Sequence, residues 1–196
     1  MERDSEIKVW DPLVRIFHWS LVATFFIALL SGEEWESLHV VAGYGVAGLV
    51  AFRLVWGLIG TPHARFTDFV RSPATVIAYL KDLAGHRARR YIGHNPAGGW
   101  MIVALLVSLA LTTLTGMAAH GTFKVASWLL PVAMAHEDEE EGDDGEEGPF
   151  GELHEFFAYF TLLLVAVHVA GVIVSSVMHR ENLVRAMITG RKQRDL

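Results

Sequence analysis

The feature that most limits what this 196-residue chain can become is a set of four long apolar runs. They extend from about Leu13 to Ser31, Leu38 to Gly60, Trp100 to Ala119 and Phe156 to Met178. Each is near the roughly 20 residues that a helix, rising about 1.5 Å per residue, needs to cross the hydrocarbon core of a bilayer. A soluble bundle would carry a polar stripe along each helix. The third run, WMIVALLVSLALTTLTGMAA, has only Ser and Thr as polar residues. The expected fold class is all-α: an integral membrane four-helix bundle, one domain over residues 1–196, with helices at about 13–31, 38–60, 100–119 and 156–178 and lipid against their outer faces. The first run is too long for a secretory signal and lacks a small-residue cleavage site, so it reads as a retained helix.

Charge sets the expected topology. Lys and Arg gather at the N-terminus (Arg3, Lys8, Arg15), between the second and third runs (Arg65, Arg71, Lys81, Arg87, Arg89, Arg90) and in the tail (Arg180, Arg185, Arg191, Lys192, Arg194). Residues 32–37 contain none, and 120–155 only Lys124. Basic residues accumulate on the cytoplasmic side, so both termini and the middle loop are expected there, and the loop 120–150 outside. The net charge of −6 is local: nine acids lie in the tract 137–147, and without them the chain would be +3. That tract, Gly-containing and without apolar side chains, is expected to be unstructured. Ser72-Pro73 opens a short amphipathic helix, while 125–134 is apolar but too short to span. No nucleic-acid partner is expected.

The chain has no cysteine, which excludes disulfides, iron–sulfur clusters and covalently attached c-type haem. It has ten histidines. His63, His86, His94, His136 and His179 fall in loops or at ends and are read as solvated or interfacial side chains, and His120 closes the third run. His18, His39, His154 and His168 remain, and ionisable residues at membrane depth are costly and usually functional. His154 and His168 are 14 residues apart, which places them on one helix face about 21 Å apart along the axis. Depth then pairs His39 with His154 towards the outside and His18 with His168 towards the inside. Two such pairs across an apolar bundle suit two bis-histidine haems, because haem iron takes one axial ligand on each face. They suit zinc poorly, since a structural zinc site gathers four ligands at one point. Gly43, Gly171 and Gly116 would leave room for a flat ring. Arg53, 14 positions after His39, falls on the same helix face, and either a haem propionate or quinone carbonyl would suit it, or it snorkels to the interface. Arg15 is a second propionate candidate.

Trp10-Asp11-Pro12 followed by Arg15 and His18-Trp19 resembles the first-helix signature of bacterial di-haem b-type cytochromes. That group includes prokaryotic cytochrome b561 and the b subunits of nickel–iron hydrogenases and formate dehydrogenases. The resemblance continues through His39-x3-Gly43, Arg53-Leu54-Val55-Trp56-Gly57, His154-x13-His168 and the tail His179 to Met187. It implies a multi-pass protein of the bacterial inner membrane whose fourth helix ligates both haem b groups, with one further ligand each from the first and second helices. It also implies electron transfer between a periplasmic partner, a cytochrome c or a dehydrogenase subunit, and membrane quinone (ubiquinone or menaquinone). The acidic loop is a departure from the family pattern, and it favours a cationic partner. Two other functions are weighed against this one: superoxide:quinone oxidoreductase activity, which the nine acids disfavour because superoxide is an anion, and a haem-free metal-binding membrane protein using His120, His136 and the acids. The latter leaves the buried histidines unexplained.

Overall fold

The computed structural model describes residues 6–32, 34–120 and 148–194. The acidic tract 137–147, the apolar segment 125–134 and His136 lie outside the described residues. In chain order the elements are β1 (Glu6–Lys8), α1 (Pro12–Ser31), α2 (Glu36–Ile59), α3 (Phe66–Phe69), α4 (Pro73–Ala84), α5 (Pro96–Ala119), α6 (Pro149–Met178), α7 (Leu183–Thr189) and β2 (Arg191–Gln193). Four of them, α1, α2, α5 and α6, are long and apolar enough to cross a membrane, as the four runs require. The architecture is a helical membrane bundle.

Proline sets the helix starts. Asp11-Pro12, Ser72-Pro73, Asn95-Pro96 and Gly148-Pro149 each open a helix with Pro in the first turn, where its missing N–H costs nothing. Three of the preceding residues close the turn: Val14 N–H donates to Asp11 at 2.9 Å, Gly98 N–H to Asn95 at 2.7 Å and Thr75 N–H to Ser72 at 3.4 Å. α6 starts at Pro149, seven residues before the apolar run that begins at Phe156. Its first two turns are mostly polar or small, so hydropathy does not reveal them, yet they carry His154.

α1 packs on α2, α5 on α6, and α2 on α5, whereas α6 packs only sparsely on α1 and α2. The apolar core is small: Phe17, Val46, Val50, Leu106 and Leu109. Leu30, Leu58 and Val177 face outward, as expected where hydrocarbon rather than water is the solvent. Hydroxyls on the long helices donate back to main-chain carbonyls, for example Thr24 to Ser20 at 2.8 Å and Thr113 to Leu109 at 3.0 Å, which satisfies them without water.

One end of the bundle is closed by the chain termini. β1 and β2 form an antiparallel pair with Ile7 opposite Lys192, a small sheet with no sequence signal. Gly190 caps α7 at φ 79°, and a Cβ there would sit 2.6 Å from the Trp10 carbonyl, so only glycine lets the two ends meet. Asp11 joins α1 to the end of α2 by accepting from Trp56 Nε1 at 3.3 Å and Thr61 Oγ1 at 2.5 Å. Lys192 is only 7% exposed, and its Nζ donates to Glu181 at 3.1 Å and to the Tyr91 carbonyl at 3.2 Å. Arg90 also donates to Glu181 and to the main chain of β2. Burial raises the Glu181 carboxyl, but Arg90 and Lys192 more than offset this and hold it below its ordinary value. The clasp is therefore at full strength above the unfolded-state carboxylate range and weakens as the pH falls. Glu181→Ala leaves Lys192 as a buried unpaired cation, a loss of about 3–5 kcal/mol. Amide exchange over residues 191–194 at neutral pH is expected to accelerate; wild-type protection in the variant would contradict the clasp.

Candidate functional site

At the end of the bundle away from the termini, His39 stands on the first turn of α2 and His154 on the second turn of α6. Their ring centres are 5.8 Å apart and their planes cross at 89°. Each Nδ1 lies on a main-chain carbonyl: His39 on Ala28 at 2.9 Å and His154 on Thr112 at 2.8 Å. A carbonyl can only accept, so both rings carry their proton on Nδ1, and Nε2 is left as a lone-pair donor. That is the orientation in which metal-bound imidazoles are held by a backbone partner. The two facing rings, each with Nε2 open, are the side chains that would hold a metal-bearing cofactor between α2 and α6.

The glycines divide. Gly43 and Gly171 face open space, with nothing within 4 Å of a Cβ built on either. Gly116 does not. A Cβ there would meet the His154 ring at 2.8 Å, so its small size makes room for the imidazole.

Towards the termini, His18 on α1 and His168 on α6 lie within electrostatic reach of each other. His18 Nδ1 is buried with no hydrogen-bond partner among the described residues. Arg53 is 3% exposed and does not snorkel: its Nη2 donates to the Ala64 carbonyl at 2.9 Å. Its guanidinium carbon lies 5.1 Å from the centre of the Phe66 ring and 5.8 Å from that of Phe69. Gly57 permits this box, because a Cβ there would overlap Phe66 at 2.1 Å. Arg53 Nη1 remains buried and unpartnered among the described residues. Arg15 behaves alike: Nη1 donates to the Ile188 carbonyl at 2.5 Å, and Nε is buried without a partner among the described residues. Two cations at this end of the bundle thus each keep one donor open among the described residues, which suits a carboxylate such as a haem propionate.

His94, expected from the sequence to be a solvated or interfacial side chain, is instead enclosed, because Trp10 and Phe69 close over it from distant parts of the chain. Its ring packs 4.4 Å from Trp10 and 4.7 Å from Phe69, centre to centre, with Nδ1 buried and unpartnered among the described residues. Burial, followed by the nearby cations Arg53 and Lys192, pushes its pKa down to about 3. The only local cue is its place just before the Asn95-Pro96 helix start. At the far end, His120 Nδ1 lies 3.8 Å from a Glu36 carboxylate oxygen on the surface. Among the described residues no three His, Asp or Glu side chains gather as a metal site, so a haem-free metal function finds no support there.

The family model of prokaryotic cytochrome b561 matches residues 9–190. The chain belongs to that family. Curated relatives are probable Ni/Fe-hydrogenase B-type cytochrome subunits. The one from Cupriavidus necator is 24% identical, covering 93% of this chain and 85% of the relative. Those from Azotobacter vinelandii and Rhodobacter capsulatus are each 22% identical, covering 97% and 98% of this chain and 90% and 83% of the relatives. No solved structure gives a significant match. As a member of the cytochrome b561 family with four spanning helices, the chain is a multi-pass inner-membrane protein of b-haem electron transfer. The backbone-held imidazoles of His39 and His154 suit haem, the cofactor that membership implies.

Gly116→Ala is expected to displace the His154 ring, at a cost of about 1–3 kcal/mol for overpacking. Haem content per chain should fall, while Gly48→Ala, where a Cβ meets nothing within 4 Å, should keep it. Equal haem in both would contradict the placement of His154. His94 sets an acid limit. Its folded-state pKa of about 3 lies below the ordinary 6.5, so stability is full above 6.5 and is lost progressively as the pH falls. His94→Phe keeps the ring stack and should flatten the dependence of melting temperature on pH between about 6.5 and 5; an unchanged slope would contradict it.

Proposed function

We propose that this chain carries electrons across the membrane between a periplasmic redox protein and the quinone pool through two bis-histidine b haems. His39 and His154 hold the outer haem, and His18 and His168 the inner one. The single observation that carries the reading is the facing of His39 and His154 at 5.8 Å, each Nδ1 tied to a backbone carbonyl. The basic N-terminus, middle loop and tail favour a cytoplasmic location for both termini.

Bound haem supplies an iron that exchanges one electron between ferric and ferrous forms. The protein does the rest. The Ala28 and Thr112 carbonyls fix the rings of His39 and His154 and raise their basicity. Spacing of 14 residues along α6 sets the two ligand levels about 21 Å apart. Gly43 and Gly171 leave the space beside the ligands open. Arg15 and Arg53 offer their unpartnered donors to haem carboxylates or, for Arg53, to a quinone carbonyl. The outer partner is a dehydrogenase subunit or a cationic cytochrome c; the curated relatives are named as subunits of a Ni/Fe-hydrogenase. Residues 137–147 steer a cationic partner by long-range attraction, an effect that salt screens.

The test is haem stoichiometry with an optical spectrum. Acid acetone should extract two haems per chain from the wild type and about one from His18→Ala, because each haem needs both axial ligands. Two haems retained in His18→Ala, or loss traced to His120, would overturn the assignment. Arg53→Ala is expected to lower the midpoint potential of the inner haem, because a nearby cation favours the less positive ferrous form. Unmoved potentials together with unmoved quinol oxidation would remove Arg53 from the site.

A further inference from the structure

Midway along the seam between α5 and α6, three hydroxyls close on one another. Thr161 is fully buried at 0% exposure and Ser108 is 2% exposed. Their oxygens are 2.6 Å apart. Thr112 Oγ1 lies 3.2 Å from Thr161 Oγ1 and donates to the Ser108 carbonyl at 2.9 Å. Thr161 is seven residues from His154 on one side and seven from His168 on the other. A straight helix drifts only about 20° over seven residues, so all three share one stripe of α6.

The cluster is joined to the ligand through one residue. Thr112 gives its hydroxyl to the cluster and its carbonyl to His154 Nδ1, at 2.8 Å. One turn further along α5, Gly116 provides the space in which the same imidazole sits.

We propose that Thr161, with Ser108, is a positioning residue for the outer haem ligand, fixing α5 against α6 at the level where the Thr112 carbonyl receives the His154 Nδ1–H. This rests on His154 being an axial ligand. Hydroxyls in hydrocarbon have no water to turn to, so the cluster resists sliding of one helix along the other. A slide of a fraction of an ångström would lengthen the Nδ1–H bond to Thr112 and leave the imidazole less basic. A less basic ligand stabilises ferric iron less, so the midpoint potential of that haem rises. Hydroxyls that only held the helices together would affect stability and leave the potentials alone.

Redox titration of the purified, haem-loaded full chain separates the two roles. The outer haem is identified as the one lost in His39→Ala. Thr161→Val is expected to keep two haems, raise the outer midpoint and leave the inner one unmoved, and Thr161→Ser to restore the wild-type value. A Thr161→Val protein that melts earlier with both midpoints unchanged overturns the proposal. If Thr161→Val does not assemble, Ser108→Ala, which removes the 2.6 Å partner, decides by the same shift or its absence. His154→Ala tells the two ideas apart. Two haems in that variant would overturn the ligand assignment; one haem there, with an unmoved midpoint in Thr161→Val, would overturn the positioning role alone.

Discussion

An imidazole packed between helices must give its N–H to an acceptor, and the arrangement of helices around His39 and His154 follows from that need. Both rings are partly buried between helices, and a buried polar group left without a partner costs about 1–3 kcal/mol. The acceptors are main-chain carbonyls of neighbouring helices, Ala28 on α1 and Thr112 on α5. Each histidine therefore ties two helices together: α2 to α1, and α6 to α5. These are the two close helix pairs of the bundle, while α6 stands away from α1 and α2. Both proposed ligand pairs bridge from α6 to the α1–α2 pair, on which α6 packs only sparsely. Packing and ligation are thus one problem solved once.

The opposite end obeys a different constraint. There the side chains are charged and the elements short, so direction comes from ion pairs and caps. Asp11 closes α1 and reaches the end of α2. Glu181 gathers Arg90 and Lys192, and β1 lies on β2. The consequence for the site is indirect but specific: Trp10 and Phe69 enclose His94, Phe66 and Phe69 enclose Arg53, and Arg15 is pinned to Ile188. Two cations whose remaining donors are buried and open among the described residues are then held at the same end of the bundle as His18.

Much of this was legible in the sequence, for a physical reason. Bilayer thickness fixes helix length, so hydropathy alone finds four spans, and intramembrane histidines are rare enough to stand out. The helix face shared by His154 and His168 follows from counting residues. What stayed hidden depends on long-range contact or on polar turns of helix. The start of α6 at Pro149 escapes a hydropathy reading because Gly151, Glu152 and Glu155 are not apolar. His94 looked like an ordinary loop residue, because its neighbours Trp10 and Phe69 are distant in sequence. Thr161 is an unremarkable hydroxyl within an apolar helix until Ser108 is seen against it. The close approach of Gly116 to the His154 ring is likewise hidden, because the two are distant in sequence.

The central claim is that both irons are held by two imidazoles each. Low-temperature electron paramagnetic resonance of the oxidised wild-type protein tests it most directly, because spin state reports axial coordination. The account predicts two distinct low-spin ferric signals in equal amount and no high-spin signal. A single low-spin species, or a substantial high-spin fraction from five-coordinate iron, would contradict it.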